Sequence, residues 1–326
     1  MTAIPLSRLG MGTAAIGNLY RAISDAEARE TVATAVASGI GYFDTAPHYG
    51  FGLAERRLGE ALAEADPSGN AIISTKVGRL LVPTEATGER HGFVDADPFE
   101  PVFDYSADAI RRSHEASLGR LCRDRVEILL AHDLGRMTHG DDHPSHLRTF
   151  LDGGYPAMRA LRDSGAIDAI GIGVNEVAIC EELLGHVDLD LILLVGRHTL
   201  LDRRSAATLF ETCAKRGVRV IIGGPYNSGI LARDGVGAAT GLHYDYRPPE
   251  PEILARAIRI EAICASFGVS LPAAALQFPL RREQVATVIP GMVGDEQIAA
   301  SIARLATPIP EALWAALDEE ESILVP

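Results

Sequence analysis

Eight short runs of aliphatic and β-branched residues alternate with amphipathic stretches along this 326-residue chain. That alternation limits the fold more than any other feature. The strand candidates are Arg8–Gly12, Tyr42–Asp44, Ala71–Lys76, Val126–His132, Ala169–Gly173, Leu189–Val195, Val218–Gly223 and Ala286–Ile289. The helix candidates between and after them are Asp25–Ser38, Ala54–Ala63, Ala107–Leu121, Pro156–Ser164, Ala178–Leu184, Arg203–Arg216, Glu252–Phe267 and Asp295–Leu305. The strand runs are apolar without polar alternation, as a parallel sheet buried on both faces requires. Eight strand–helix units fit a closed α/β barrel, a (β/α)8 TIM barrel, better than a doubly wound open sheet. No Pro/Gly/Ser linker or composition break divides the chain, so residues 1–326 read as a single barrel domain. The connections after the third and fourth strands, Gly78–Tyr105 and Asp133–Gly154, are long enough to form binding walls or lids.

The charge balance narrows the partners. Against 44 Asp and Glu stand 30 Lys and Arg, and no basic run exceeds two residues. A phosphate backbone needs a basic footprint, so neither nucleic acid nor an anionic membrane is expected, and the partner is a small-molecule substrate. No apolar stretch approaches a membrane span, and Met1-Thr2-Ala3-Ile4-Pro5 does not open a signal peptide. Cys122, Cys180, Cys213 and Cys264 are scattered and read as buried thiols of a reducing, cytoplasmic compartment. The sequence does not determine oligomeric state.

In a barrel of this kind reactive groups sit where strands end. Asp44, Lys76 and His132 stand at three consecutive strand ends, and Tyr49 follows five residues after Asp44. Each alone is compatible with a structural role: a cap, a snorkelling lysine, a core histidine, a rim aromatic. Together they are hard to explain by packing, because an ionised group at a barrel mouth is costly unless paired.

These runs carry a resemblance. Phe43-Asp44-Thr45-Ala46 with Tyr49-Gly50, Ser74-Thr75-Lys76-Val77, the strand-end His132, Glu55–Leu62, Gly171–Asn175 and Ile289-Pro290-Gly291 together resemble the aldo-keto reductases. The resemblance spans nearly the whole chain. It implies Tyr49 as proton shuttle, Lys76 beside it lowering the phenol's pKa, Asp44 orienting Lys76, and His132 holding the substrate oxygen. It also implies a nicotinamide cofactor that carries the hydride. Gly10-Met11-Gly12-Thr13 is then the first strand, with Gly12 and Thr13 near the cofactor. Its glycine spacing does not match the G-x-G-x-x-G dinucleotide fingerprint. Asn175 would hold the carboxamide, the backbone of Gly224-Pro225-Tyr226-Asn227-Ser228-Gly229 the pyrophosphate, and Ile289–Ser301, with Gly291, Val293 and Gln297, the adenosine end.

The chain departs from the family's pattern in places. Gly291–Gln297 contains no Lys or Arg but does contain Asp295 and Glu296, which implies NAD rather than NADP. Val174, Val195 and Gly223 stand where the family often has serine, glutamine and a stacking aromatic, and Tyr226 is a candidate replacement for that aromatic. Further cues (Ala15–Arg21, Gly78–Leu81, Phe103–Ser106, Gly196–Leu201, Pro225–Gly229) are similar to a subgroup of NAD-dependent aldose 1-dehydrogenases and pyridoxal 4-dehydrogenases. That likeness implies oxidation of a cyclic hemiacetal, of L-fucose, D-arabinose, L-galactose or pyridoxal, to its lactone, with Tyr49 as general base. Tyr20, His48, Phe51, Arg197 and His198 are the substrate-contact candidates. An NADPH-dependent aldehyde or ketone reductase and a non-catalytic binding protein on the same barrel are the competing readings. Asp133, His139, Asp141, Asp142, His143 and His146 lack metal-ligand spacing, so no metal is expected, and they read as a solvated polar lid.

Overall fold

The computed structural model describes residues 4–324; Met1–Ala3, part of the N-terminal stretch weighed above, lie outside the described residues. Ten strands form in chain order: β1 (Met11–Gly12), β2 (Tyr42–Asp44), β3 (Ile72–Val77), β4 (Arg79–Pro83), β5 (Phe99–Phe103), β6 (Ile128–His132), β7 (Ala169–Val174), β8 (Leu191–Val195), β9 (Arg219–Gly223) and β10 (Val285–Ile289). Eight of them make one parallel sheet in the order β1-β2-β3-β6-β7-β8-β9-β10. The ring closes through parallel bridges from Leu9 to Val288 and from Gly12 to Gly291, with Gly10 N–H donating to Val288 O (2.9 Å) and Gly12 N–H to Pro290 O (3.0 Å). This is the (β/α)8 barrel.

Strand periodicity decides which side chains meet. Tyr42, Ile128, Leu130, Leu191, Leu193, Ile221 and Ile289 form the cluster inside the barrel. Their alternates Phe43, Leu129, Ile192, Leu194, Val220 and Ile222 pack outward with the surrounding helices. Asp44, two residues beyond Tyr42, Lys76, two beyond Ser74, and His132, two beyond Leu130, therefore continue the inward-facing rows above the apolar layer. Helix starts follow local chemistry. Ser24 and Ser106 cap the helices Asp25–Ala37 and Ala107–Leu121 by accepting Glu27 N–H and Ala109 N–H.

Several elements differ from the sequence expectation. The connection after β3, expected as a long loop, does wall a cavity through Glu89, His91, Gly92 and Phe93 but also carries a hairpin: β4 and β5 pair antiparallel within it, Arg79 opposite Phe103. The connection after β6 is not a solvated lid. His139 and His143 are buried. His139 meets the Tyr105 hydroxyl at 2.9 Å and His146 at a ring distance of 4.1 Å, and His143 lies 3.0 Å from both Leu134 O and Glu182. The seventh helix of the ring is Leu271–Gln277, which packs beside Gly294–Ala306. The expected one, Pro251–Ser266, packs against Leu271–Gln277 and the final helix Glu311–Leu324. Cys122 is exposed at a left-handed helix end, whereas burial raises the Cys180, Cys213 and Cys264 thiols above their ordinary range. Among the described residues no single helix is long and apolar enough to cross a membrane.

Candidate active site

At the C-terminal mouth of the barrel, Asp44 and Lys76 form a buried ion pair, Oδ2 to Nζ, of 2.7 Å. Strand register makes this possible. Asp44 lies opposite Ser74, whose hydroxyl donates to Asp44 Oδ1 (2.7 Å), and Lys76 is the next inward residue on the same strand. Gly173 opposite gives Lys76 its room, since a Cβ there would stand 3.1 Å from Lys76 Cε. The ammonium also donates to Thr45 O (2.8 Å) and to Tyr49 Oη (3.1 Å). All three of its donors are thus committed, which is how a buried lysine remains charged.

Tyr49 opens a tight turn whose next residues, Gly50 and Phe51, are both left-handed (φ 61° and 56°). The turn presses against the first loop so closely that a Cβ on Gly50 would come within 2.4 Å of Gly17 O. The Tyr49 ring stands 6.2 Å from the His132 ring, edge to face. Burial, and then the charge of Asp44, hold the Tyr49 phenol well above its ordinary range, with Arg79 opposing. In the free site burial outweighs any lowering of this pKa by the adjacent Lys76, so the net direction is upward. Burial, then Arg79 and Lys76, push His132 well below the ordinary histidine range, so its imidazole is neutral. His48 is likewise held neutral, first by burial and then by Arg79.

Two cavities meet over Tyr49. One, about 480 Å³, is walled by Tyr20, His48, Tyr49, Lys76, Glu89, His91, Phe93, His132, Asp133, Asn175 and Tyr246. The other, about 330 Å³, runs from Tyr49 and Asn175 along Gly223–Gly229 to Gly12 and Gly291.

The structure brings most of the expected site residues together. Tyr20 and His48 wall the first cavity. Gly12, Asn175, Gly224, Pro225, Tyr226, Asn227, Ser228, Gly229 and Gly291 line the second. Others stand apart from both. Phe51 is wholly buried behind His48, its ring beneath the Arg90 guanidinium (4.5 Å). Arg197 pairs with Asp245 (3.0 Å) and Asp202 (3.9 Å). His198 is wedged between Phe210 and Phe278 and borders a different cavity beside Arg281 and Arg282. Thr13 Oγ1 donates to Asp44 O (2.9 Å). Gln297 folds back to accept Val293 N–H (3.0 Å) at the head of helix Gly294–Ala306. Tyr226 lines the cleft but its hydroxyl lies 3.3 Å from Arg304, away from the mouth. Tyr246 joins Tyr20 and Tyr49 in lining both cavities, and its hydroxyl lies 3.4 Å from Asn175 Nδ2.

Asp133, Arg79, Phe93 and Tyr246 were missed as wall or support residues. Asp133 and Arg79 carried a sequence signal, since each directly adjoins a strand-end motif. Phe93 and Tyr246 reach the site only because their connections fold back over it.

The model of the aldo/keto reductase family matches residues 8–321. The chain belongs to the aldo/keto reductase family. Curated members similar to it include the pyridoxal 4-dehydrogenase of Microbacterium luteolum, 39% identical over 98% of this chain and 95% of that one. The D-threo-aldose 1-dehydrogenase of a Pseudomonas species is 37% identical over 99% and 96%. Among solved structures, the holo form of an aldo-keto reductase from Bacillus halodurans aligns with a TM-score of 0.72 at 26% identity, covering 96% of this chain and 92% of that one. This aldo/keto reductase is an oxidoreductase that uses a nicotinamide cofactor on a small-molecule substrate.

The second cleft has the chemistry for that cofactor. Gly224, Asn227, Ser228 and Gly229 are all left-handed (φ 57°, 45°, 58° and 104°), and the loop is fixed by Asn227 N–H donating to Gly224 O (2.9 Å) and Gly229 N–H to Tyr226 O (3.0 Å). Asn227 Oδ1 is buried with no partner among the described residues. The polar Asn175 and the small Gly12, Gly223 and Gly291 leave the rest of the channel open.

Proposed function

We propose that this enzyme oxidises a cyclic hemiacetal to its lactone with NAD, on a sugar such as L-fucose, D-arabinose or L-galactose. The observation that carries the reading is the buried Asp44–Lys76–Tyr49 chain of contacts (2.7 and 3.1 Å) with neutral His132 facing Tyr49 across a polar cavity. His132 donates to the hemiacetal hydroxyl oxygen and fixes its place. Tyr49 Oη takes that hydroxyl's proton as general base. Lys76 stays protonated and stabilises the phenolate, and Asp44 keeps Lys76 charged and aimed. The bound nicotinamide cofactor supplies the hydride acceptor, held by Asn175 and the Gly224–Gly229 backbone. Because burial and Asp44 favour the neutral phenol, oxidation accelerates as pH rises.

The preference for NAD rests on the head of helix Gly294–Ala306. Asp295 and Glu296 occupy its first turn, and Gln297 is engaged with Val293 N–H. Two carboxylates repel a 2′-phosphate. A pyridoxal hemiacetal is the second substrate reading. It is favoured by the likeness to pyridoxal 4-dehydrogenase and by the aromatic groups Tyr20, Phe93 and Tyr246 along the cavity.

Initial rates of NADH or NADPH formation at alkaline pH, with L-fucose, D-arabinose, L-galactose and pyridoxal, test these assignments. NADH formed from a sugar supports the aldose reading. NADH from pyridoxal alone keeps the mechanism and replaces the substrate. Activity only with NADP overturns the cofactor assignment. No activity with any pair overturns the reading as a whole.

A further inference from the structure

We infer that Asp133, braced by Arg79, reads a hydroxyl beside the reacting carbon, so that the substrates are hemiacetals carrying such a hydroxyl; this rests on the function proposed above. The backbone points to it first. Asp133 directly follows β6, and strand alternation would turn its side chain outward, away from His132. Instead its φ is +48°, a left-handed conformation that a non-glycine residue adopts only at a cost. Asp133 N–H donates to Gly173 O (3.0 Å), and the Tyr105 hydroxyl bonds His132 O (2.7 Å) and Asp133 O (3.2 Å). The turn thereby swings the carboxylate into the wall of the larger cavity, its Oδ2 3.5 Å from His132 Nε2.

Charge and hydrogen bonding define what the carboxylate can read. Arg79 donates to Asp133 Oδ2 and lies over the Phe103 ring (4.7 Å), so the hairpin β4–β5 holds the pair in place. The pair is neutral as a unit, which suits an uncharged polyhydroxyl ligand. Arg79 engages Oδ2, and no hydrogen bond from the described residues reaches Asp133 Oδ1, so it remains an acceptor. The neighbouring carboxylate favours the His132 tautomer with the proton on Nε2, and His132 Nδ1 is buried without a partner among the described residues. A substrate oxygen bonded by His132 Nε2 therefore lies beside this carboxylate, and a hydroxyl one hydrogen-bond length from that oxygen has an acceptor facing it. Gauche oxygens on neighbouring carbons are spaced by about that length, ~2.8 Å. The 2-hydroxyl of an aldose meets this requirement at its anomeric carbon; the 3-oxygen of a pyridoxal hemiacetal does not, because a ring atom separates its carbon from the reacting one.

The test compares a substrate pair that differs only in that hydroxyl, L-fucose with 2-deoxy-L-fucose. A site built to bond a hydroxyl rejects the analogue lacking it, so wild-type kcat/KM should favour the hydroxylated member by roughly 100-fold or more. In Asp133→Asn that ratio should fall by about tenfold or more. If Asp133 acted only by orienting His132, both members would lose activity equally and the ratio would stand, which overturns the inference. Should Asp133→Asn fail to fold with Arg79 unpaired, the Arg79→Gln, Asp133→Asn double variant removes both charges and gives the same readout. The same pair is compared as ligands of the enzyme–NADH complex by quenching of NADH fluorescence. Selective binding without turnover sinks the proposed oxidation but leaves Asp133 as the reader. Turnover with an unchanged ratio does the reverse, and no binding of any member refutes both.

Discussion

Arg56 and Arg57 are adjacent in sequence and chemically identical, yet the fold uses them so differently that replacing each by methionine is a sharp test. Arg57 is 6% exposed, and its fork donates to Asp25 Oδ1 (2.7 Å), Ile16 O (2.8 Å), Asn18 Oδ1 (2.8 Å) and Ile23 O (2.9 Å). It thus ties both ends of the loop that carries Leu19 and Tyr20, part of the substrate cavity wall. Arg56 is 38% exposed and reaches Asp97, Glu60 and Asp25 only at 3.6, 3.7 and 4.0 Å. In Arg57→Met, Ile16 O and Ile23 O lose their donor, at about 1–3 kcal/mol each. Asn18 Oδ1 keeps its bond from Ile23 N–H (3.1 Å), and Asp25, half exposed, returns to water. Removing a buried guanidinium also removes its desolvation cost, so the net loss is about 2–4 kcal/mol. Arg56→Met should cost under ~1 kcal/mol. Urea unfolding measures both, and substrate KM should rise in Arg57→Met alone as the Tyr20 wall loosens. A loss below about 1 kcal/mol at Arg57, or equal losses at the two positions, would show that the loop is not held by this fork.

Further expectations concern chemistry and pH. Tyr49→Phe should lower turnover by about 10²–10⁴-fold while NADH binding, followed by fluorescence titration, is retained; loss of both would mean that Tyr49 holds the cofactor or the fold. His198, pushed down to about 4 mainly by burial, stays neutral in the folded chain but protonates near 6.5 when unfolded. The unfolded chain then binds the extra proton, so stability is lost as pH falls from about 6.5 towards 4, by at most ~3 kcal/mol. His198→Gln should flatten that limb of the stability profile, and an unchanged slope would assign the acid sensitivity to other groups. Gly291→Lys with Gln297→Arg should raise kcat/KM for NADP by about tenfold or more, since one charge-assisted bond contributes about 1.5–3 kcal/mol. No gain would move the 2′-phosphate question away from this helix.

The barrel was readable because its strands announce themselves twice, by apolar runs and by polar residues at their ends. β2 begins and ends where the sequence places it, and Asp44, Lys76 and His132 fall on the inward rows as strand ends should. What was not readable depends on chain reversal over long spans. β4 and β5 are each five residues long, partly exposed, and separated by fifteen residues without a tight-turn signature. Helix Leu271–Gln277 did carry a signal, the cap Ser270 with Pro272 in the first turn, but it follows the longer and more obvious Pro251–Ser266. Phe51 and His198 are drawn inside by aromatic packing, which no local pattern reveals. Asp133 depends on one left-handed backbone angle, and Tyr246 on an Arg197–Asp245 pair spanning two loops.

The narrow join between β1 and β10 has a consequence for how the protein is made and kept intact. β1 is two residues long, and its contacts with the last strand are few; Gly12 and Gly291, on either side of the join, both border the second cleft. A dinucleotide bound along that cleft, as proposed above, would bridge the earliest and latest parts of the barrel. During synthesis the binding wall is incomplete until β10 has emerged, so capture of the ligand reports that the circle of strands has closed. Once captured, it would act as a clasp at this narrow join: at a hundredfold excess over its dissociation constant it would raise the free energy of unfolding by about 2.7 kcal/mol.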